Sequence, residues 1–364
     1  MLPIVHSFTA YEKWLRRRLV LVPADLVRKR AKLRRTPFAF LRGTFFRWVE
    51  AWPQLCEPLA DAPRILCVGD IHVENFGTWR DADGRLVWGV NDFDEAAKLP
   101  YTNDLVRLCT SAILAIEESG ASLSVRRACD SVLDGYRHGL ATRGTPLVLG
   151  KENVWLKELA EHRTTDDEAF WKPIWGLGRV KAPPSVRPLL LRALPTPHSE
   201  PRFVHRSAGL GSLGRQRFAA LTIWSGGPVA REAKAITVSA AHWLESRPRV
   251  AIHYRQLEQR AVRACDPSLC VRHGWVVRRL APDCRKIEFR ELSEHAHLQP
   301  LLQAMGRELA NVHLATPGQR SAVLRDLDRR KPRWLQHASE SMAELTARDW
   351  KAWRKVTRPS SLPG

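Results

Sequence analysis

A short hairpin separating two acidic runs constrains the fold of this chain more than any other stretch. The first run is Gly69-Asp70-Ile71-His72-Val73-Glu74-Asn75, and the second is Asn91-Asp92-Phe93-Asp94-Glu95. Between them Asp83-Gly84 marks a tight turn flanked by alternating, strand-like residues from Thr78 to Val90. A hairpin brings its ends together, so Asn75 and Asp92 are predicted to reach one metal ion. Residues Arg64 to Val68 read as a short buried strand feeding the Gly69-Asp70 turn. An Asp five positions before an Asn, then an Asp-x-Asp beyond a hairpin, is the spacing that phosphoryl transfer needs. Asp70 would orient a nucleophile, while the Asn75 amide oxygen and Asp92 would hold Mg²⁺ against phosphates. Phosphoryl groups react mainly through positioning and charge neutralisation, which calls for oxygen ligands on rigid loops.

Neighbouring residues leave alternatives open. Asp94 and Glu95 suit a second metal or a cap on the following segment. His72 suits a general base, a metal ligand or an orienting group, and its place in the loop favours orientation. Gly69-Asp70-Ile71-His72 also fits the metal turn of a two-metal phosphatase, but the GDxxDRG and GNHE runs that accompany that turn are absent.

The chain has 364 residues, 44% of them hydrophobic, which suffices for two or three units with real cores. Its formal charge is +20. That excess points to an anionic partner (nucleotide, phosphorylated metabolite, nucleic acid or membrane surface) or to a solvated basic face. The basic residues are mostly scattered Arg, so a dedicated nucleic-acid arm is not expected, although a nucleic acid stays among the candidate ligands. The seven cysteines lack a CxxC pair, and the spacing of Cys265, Cys270, His273 and Cys284 fits no usual zinc pattern. Buried free thiols in a reducing compartment are expected instead. No signal-peptide pattern opens the sequence and no apolar stretch approaches membrane-spanning length, so a cytoplasmic protein is expected.

Periodicity predicts a basic helix over residues 10–35, an apolar run over Phe38–Gly43, and helices over 103–118 and 122–141. His313, on the apolar face of a helix over 298–314, reads as a packed core residue, and the tail from about residue 330 is expected to be helical. The proline-bearing stretch 166–200 reads as a connector. A more β-like unit follows, with strands over 216–224, 229–234 and 275–280 and a helix over about 250–264. The predicted organisation is a first catalytic part over 1–165, the connector over 166–200, a nucleotide-binding β-rich unit over 201–297 and a helical return over 298–364.

Gly209-x-Gly211-Ser212-x-Gly214 is weak evidence alone. In dinucleotide-binding folds such a run joins a strand to a helix, whereas here a strand follows. That favours a glycine-rich hairpin over phosphates, its backbone N–H groups unshielded by side chains. The basic residue on the next strand would be Arg231 or Lys234. An ordinary glycine-rich hairpin is the plain alternative.

Taken together, Thr36-Pro-Phe-Ala-Phe-Leu-Arg-Gly43, Gly69-Asp-Ile-His-Val-Glu-Asn-Phe-Gly77 and Asn91-Asp-Phe-Asp-Glu95 resemble the bacterial domain-of-unknown-function 2252 family. The later pieces Gly209–Gly214, Arg231-Glu-Ala233, Gln259-Arg260, Asp266-Pro267 and Arg278-Arg279-Leu280 fit it too, so the resemblance spans residues 30–315. The two acidic runs are also similar to those of aminoglycoside and choline phosphotransferases, within the protein-kinase-like superfamily. That resemblance implies that Asp70 is catalytic, that Asn75 and Asp92 bind metal, and that Asp104 is the structural acid opening the next helix. It also implies ATP and Mg²⁺ as cofactors. The chain departs from the pattern at Arg231, where a Lys is usual. Either Lys234 substitutes for it or nucleotide binding is weakened, because Arg and Lys are not interchangeable between phosphates.

In kinases the glycine loop and its Lys strand precede a helix ending Leu-Ala-x-x-His and then the catalytic loop. Here Leu309-Ala310-Asn311-Val312-His313 comes last, so the resemblance implies a circular permutation. The expected fold is α+β and two-lobed, kinase-like, with a mainly helical catalytic lobe and a smaller antiparallel β-rich nucleotide lobe. The expected activity is an ATP- and Mg²⁺-dependent phosphotransferase acting on an unidentified acceptor hydroxyl, with an anionic acceptor in keeping with the charge. Glu258 would pair with the phosphate-binding cation. Nucleotidyl transfer, such as protein adenylylation, or a catalytically weak pseudokinase binding module are the alternatives on the same fold.

Overall fold

The computed structural model describes residues 1–161, 167–196, 200–245, 251–286 and 297–356. Over these it is a mixed α+β protein with thirteen α-helices and ten strands in three antiparallel sheets.

Helices α1 (Ile4–Arg16), α2 (Pro23–Leu33), α3 (Pro37–Gly43) and α4 (Phe45–Leu55) open the chain. The helix predicted over 10–35 is thus two. Pro23 cannot continue a helix from before it, but it starts one at no cost because the first-turn N–H groups have no helical partner. Phe38–Gly43 is helical too. Thr36 caps it by accepting from the Ala39 N–H at 3.1 Å, with Pro37 at the first position.

Strand β1 (Arg64–Cys67) pairs antiparallel with β4 (Ala97–Pro100). Between them β2 (Phe76–Arg80) and β3 (Leu86–Val90) form a hairpin in which Phe76 stands opposite Val90. Helices α5 (Tyr101–Ser119) and α6 (Val125–Ala141) follow, and then β5 (Leu147–Val148), which adds to β3. Every residue of α5 from Tyr101 to Ile116 is buried, which explains an apolar pattern all round the helix. Each large aliphatic side chain sealed there contributes about 1.5–3 kcal/mol.

The predicted connector is not irregular. After α7 (Val154–Glu161), helices α8 (Asp167–Trp175) and α9 (Arg187–Ala193) lie on the two faces of a five-stranded sheet. Pro188 sits in the first turn of α9, the place a helix tolerates it, while Pro173 lies inside α8 and removes one of its hydrogen bonds. The sheet comprises β6 (Arg202–His205), β7 (Arg217–Trp224), β8 (Gly227–Ala235), β9 (Cys270–Arg272) and β10 (Trp275–Leu280), in spatial order β6-β7-β8-β10-β9. Alternation divides β8. Ala233 and Ala235 pack with Phe203, Phe218 and Leu190 under α9, while Ala230 shares the opposite face with Glu232 and Lys234. Helix α10 (Tyr254–Arg260) is shorter than the predicted one, and residue 250 lies outside the described residues.

The chain then returns to the first unit. Thr78 N–H donates to the Arg285 carbonyl at 2.7 Å, so the segment leaving β10 runs along β2. Helix α11 (Leu298–His313) places Leu301, Met305 and Leu309 in the same core as α5. Helices α12 (Arg320–Arg329) and α13 (Trp334–Val356) complete it, and residues 357–364 of the predicted helical tail lie outside the description. No helix among the described residues is long and apolar enough to cross a membrane.

The cysteines are free, but not all are buried: Cys265 is exposed, and Cys270 and Cys284 are partly so. His313 is buried as read from the sequence, yet it is also hydrogen-bonded, to Tyr136 Oη at 2.8 Å.

Candidate functional site

Two charged residues inside the apolar helix α5 build the loop that carries Asp70. Asp104 accepts from the N–H groups of Val68 (2.6 Å) and Gly69 (3.0 Å), and His313 Nε2 lies 3.1 Å from the same carboxylate. One turn on, Arg107 donates through Nε to Asp70 Oδ1 at 3.1 Å, adds a second contact through Nη2, and also donates to the Leu41 carbonyl. A further turn on, Ser111 Oγ accepts from Val73 N–H at 3.0 Å. Gly69 has a φ of 78°, and a Cβ there would come within 2.2 Å of the Glu95 carbonyl oxygen, so only glycine fits. Sequence reading missed Arg107 and Ser111. The available signal was a buried charge spaced one helical turn from Asp104.

The hairpin brings the ends of both acidic runs together. Asn75 Nδ2 donates to the backbone carbonyls of Asp92 (3.1 Å) and Asp70 (3.3 Å). Its Oδ1 is buried without a hydrogen-bond partner among the described residues, and so is Asp94 Oδ1. Lys234 Nζ crosses from β8 to sit 2.5 Å from Asp92 Oδ2 and 2.7 Å from Asp94 Oδ2. Burial pushes the Asp92 carboxyl up, but Lys234 outweighs it and holds the group well below the usual carboxylate range. Burial and the negative Asp92 push Asp94 up to about 6. Burial also raises Asp70 to about 6, against the pull of Arg107. His72 is kept neutral by burial and by nearby Arg42. Its Nδ1 accepts from Glu74 N–H at 3.2 Å, so the ring proton is on Nε2.

The glycine run, turning between β6 and β7, arches over this cluster. A Cβ on Gly211 would stand 3.1 Å from Asp70 Oδ2, so the arch and the carboxylate approach closely enough to leave a side chain little room. Lys29 of α2 holds the arch by donating to the Gly211 carbonyl at 2.7 Å, and Val22 N–H donates to Gly214 O at 2.8 Å. Ser212 Oγ points back to accept from Arg217 at 2.9 Å. At the end of the arch Arg215 bonds Glu95 at 2.7 Å, and Glu95 also accepts from Ala240 N–H at 2.6 Å. Glu95 thereby ties the second acidic run to the β unit. None of Lys29, Arg215 or Glu95's bridging position is visible in local sequence, because each partner lies more than a hundred residues away.

Two candidates do not join the cluster. Arg231 alternates with Lys234's neighbours onto the other face of β8 and donates to the Ala193 carbonyl at the end of α9. Glu258 is half-buried beside Arg263, Cys265 and Asp266 and does not reach Lys234. The acid that does face the cleft cations is Glu232, which is 0% exposed. It accepts from Arg217 at 2.5 Å and from Arg278 at 3.2 Å, and it pairs with Arg206. Burial raises the Glu232 carboxyl, yet these guanidiniums, Arg217 foremost, hold it well below its usual value.

A cavity of about 50 Å³ lies among Asp70, Asn75, Asp92, Asp94 and Gly211. It adjoins a larger one of about 490 Å³ lined by Arg42, Arg206, Arg217, Arg278 and Lys286 on the basic side and by Phe38, Phe170 and Leu280 on the apolar side. Two orphaned buried oxygens beside a low-lying carboxylate make a donor set suited to a hard divalent cation such as Mg²⁺.

Residues 18–169 match the model of a family described as an uncharacterized protein conserved in bacteria (DUF2252). That match covers both acidic runs and α5 but ends before the glycine arch. No curated protein and no solved structure matches the chain.

Proposed function

We propose that this protein is a kinase-like transferase, circularly permuted, that moves a phosphorus-centred group from a Mg²⁺-bound nucleoside triphosphate to an acceptor hydroxyl. The observation that carries the reading is the convergence of Asp70, Asn75 and Asp92 with Lys234 beneath the glycine arch. The order of pieces within the sheet adds support. The glycine turn joins its first two strands and the cation stands on its third, the arrangement kinases use.

Each residue then has a task. Asp70, fixed through Oδ1 by Arg107, presents Oδ2 to the acceptor hydroxyl and takes its proton as the new bond forms. Asn75 Oδ1, Asp92 and Asp94 are the oxygens that would hold Mg²⁺, which supplies charge neutralisation to the phosphates when bound. Lys234 adds a compact positive charge against the same phosphates. His72, neutral and accepting the Glu74 N–H through Nδ1, orients the loop. With no side chain at Gly211, the backbone of the arch comes close to Asp70, the approach a phosphate cradle requires.

Thermal denaturation tests this. Mg·ATP at a hundred times its Kd stabilises by about 2.7 kcal/mol, so the melting temperature of the wild type rises. Asp92→Ala abolishes that rise while its own melting temperature stays within a few degrees. A rise that survives in Asp92→Ala refutes the metal role.

A further inference from the structure

The ceiling of the large cavity is charged where a nucleobase would ordinarily find apolar contacts. Glu232 stands two residues before Lys234 on the cleft face of β8, one side-chain step farther from Asp92. Arg217, Arg278 and Arg206 converge on that single carboxylate, so these four side chains carry a net charge of +2, with Asp92 and Asp266 also acting on Arg278. Arg217 is 4% exposed, so its charge is largely withheld from water. Arg278 sits directly opposite Glu232 in the sheet register, and all three guanidiniums line the cavity. A base placed there neutralises nothing, whereas phosphate oxygens satisfy both the excess charge and the fork geometry of the guanidiniums.

We infer that the nucleotide lies with its polyphosphate tail under the Arg206–Arg217–Arg278 ceiling and its α-phosphate at Asp92, so that the group transferred is a nucleotidyl group. This rests on the transferase reading above and specifies which phosphorus reacts. The acceptor hydroxyl oxygen bonds to the α-phosphorus and the α–β bridging P–O bond breaks. Its electron pair leaves with pyrophosphate, held by the guanidiniums, and the hydroxyl proton passes to Asp70. The acceptor is a hydroxyl-bearing molecule, the product its nucleoside-monophosphate ester, and no oxidant or reductant is involved.

The test combines inorganic tripolyphosphate binding by calorimetry with transfer of label from ATP carrying ³²P at either the α or the γ position. Arg206→Gln and Arg278→Gln are expected to weaken tripolyphosphate by about tenfold or more, because each removes a charged donor from the tail site. Label is expected to move from the α position, to the protein or to water, with release of pyrophosphate. Unchanged tripolyphosphate affinity in both variants, or transfer of γ label with release of ADP, overturns the inference and leaves the transferase reading standing. If either variant fails to fold, the wild-type protein soaked with a non-hydrolysable ATP analogue and Mg²⁺ decides the matter. β- and γ-phosphates within hydrogen-bond reach of Arg278 support the inference, and the base in that place overturns it. Failure of the wild type to bind Mg·ATP at all overturns both.

Discussion

Lys234 Nζ lies 2.5 Å from Asp92 Oδ2, a contact between the third strand of the β unit and the loop that ends the hairpin of the helical unit. Its ammonium also holds Asp94 at 2.7 Å, so one cation spans both carboxylates. The two halves of the site are therefore joined by charge as well as by packing.

Replacing that cation separates it from its neighbour on the strand. Lys234→Met is expected to weaken Mg·ATP by about tenfold or more, since a charge-assisted contact to phosphate is lost. Arg231→Met, whose side chain faces α9 on the other side of β8, is expected to leave nucleotide affinity within about twofold, as changes away from a site do. Titration calorimetry on both variants checks the pair, and equal losses would contradict the assignment.

On the proposed reading, the acidity of Asp70 sets the pH dependence of turnover. Burial raises this carboxyl to about 6, and a base must be deprotonated to work, so kcat/KM should climb through pH 6 and level off above it. Arg107 opposes that rise by pairing with Oδ1. Arg107→Gln is therefore expected to move the acid limb to higher pH, and a pH–rate profile measures the displacement. A limb that stays in place shows that Asp70 is not the titrating base.

Much of this site is legible in the sequence because it is local. Asp70 and Asn75 share one loop, and the Asp83-Gly84 turn guarantees that Asp92 comes back beside them. The mixed α+β class and the antiparallel pairing follow from patterns of the same short range. What stays hidden is set by tertiary contact. Arg107 looks like one charge in an apolar helix until α5 is seen to pass under the loop. Lys29 and Arg215 gain meaning only when α2 and the second acidic run close around the glycine arch. Arg231 and Lys234 are equally basic on paper, and strand alternation separates them only once the start of β8 is known. Prolines gave 166–200 an irregular look, yet Pro188 occupies the one part of α9 where a proline is welcome.

Asp104 supports the loop that it does not itself enter chemically. Asp104→Ala strands the N–H groups of Val68 and Gly69 and removes one of the two hydrogen-bond partners of His313, all buried. A loss of about 3 kcal/mol or more is expected, with a lower melting temperature as the readout. A change below about 0.5 kcal/mol, typical of an unimportant surface site, would contradict that structural role.

Glu232 gives the fold a distinct acid sensitivity. Its carboxyl is depressed in the folded chain by Arg217, Arg206 and Arg278 despite burial, so its contribution is complete above its unfolded value of 4.5 and is lost as pH falls below that. Between about pH 5 and about pH 3 the wild type should lose stability more steeply than Glu232→Gln, which has no proton to gain there. Denaturant titrations across that range measure the two slopes, and parallel slopes would show that Glu232 does not carry the effect.

The central claim, that Asn75 and Asp92 present their oxygens to one divalent ion shared with a nucleotide, is tested most directly by electron paramagnetic resonance of Mn²⁺ with and without ATP. The account predicts a bound Mn²⁺ signal that strengthens with ATP in the wild type and is lost in Asp92→Asn. A wild type that holds no nucleotide-dependent Mn²⁺, or an Asp92→Asn variant that holds it unchanged, would contradict the account.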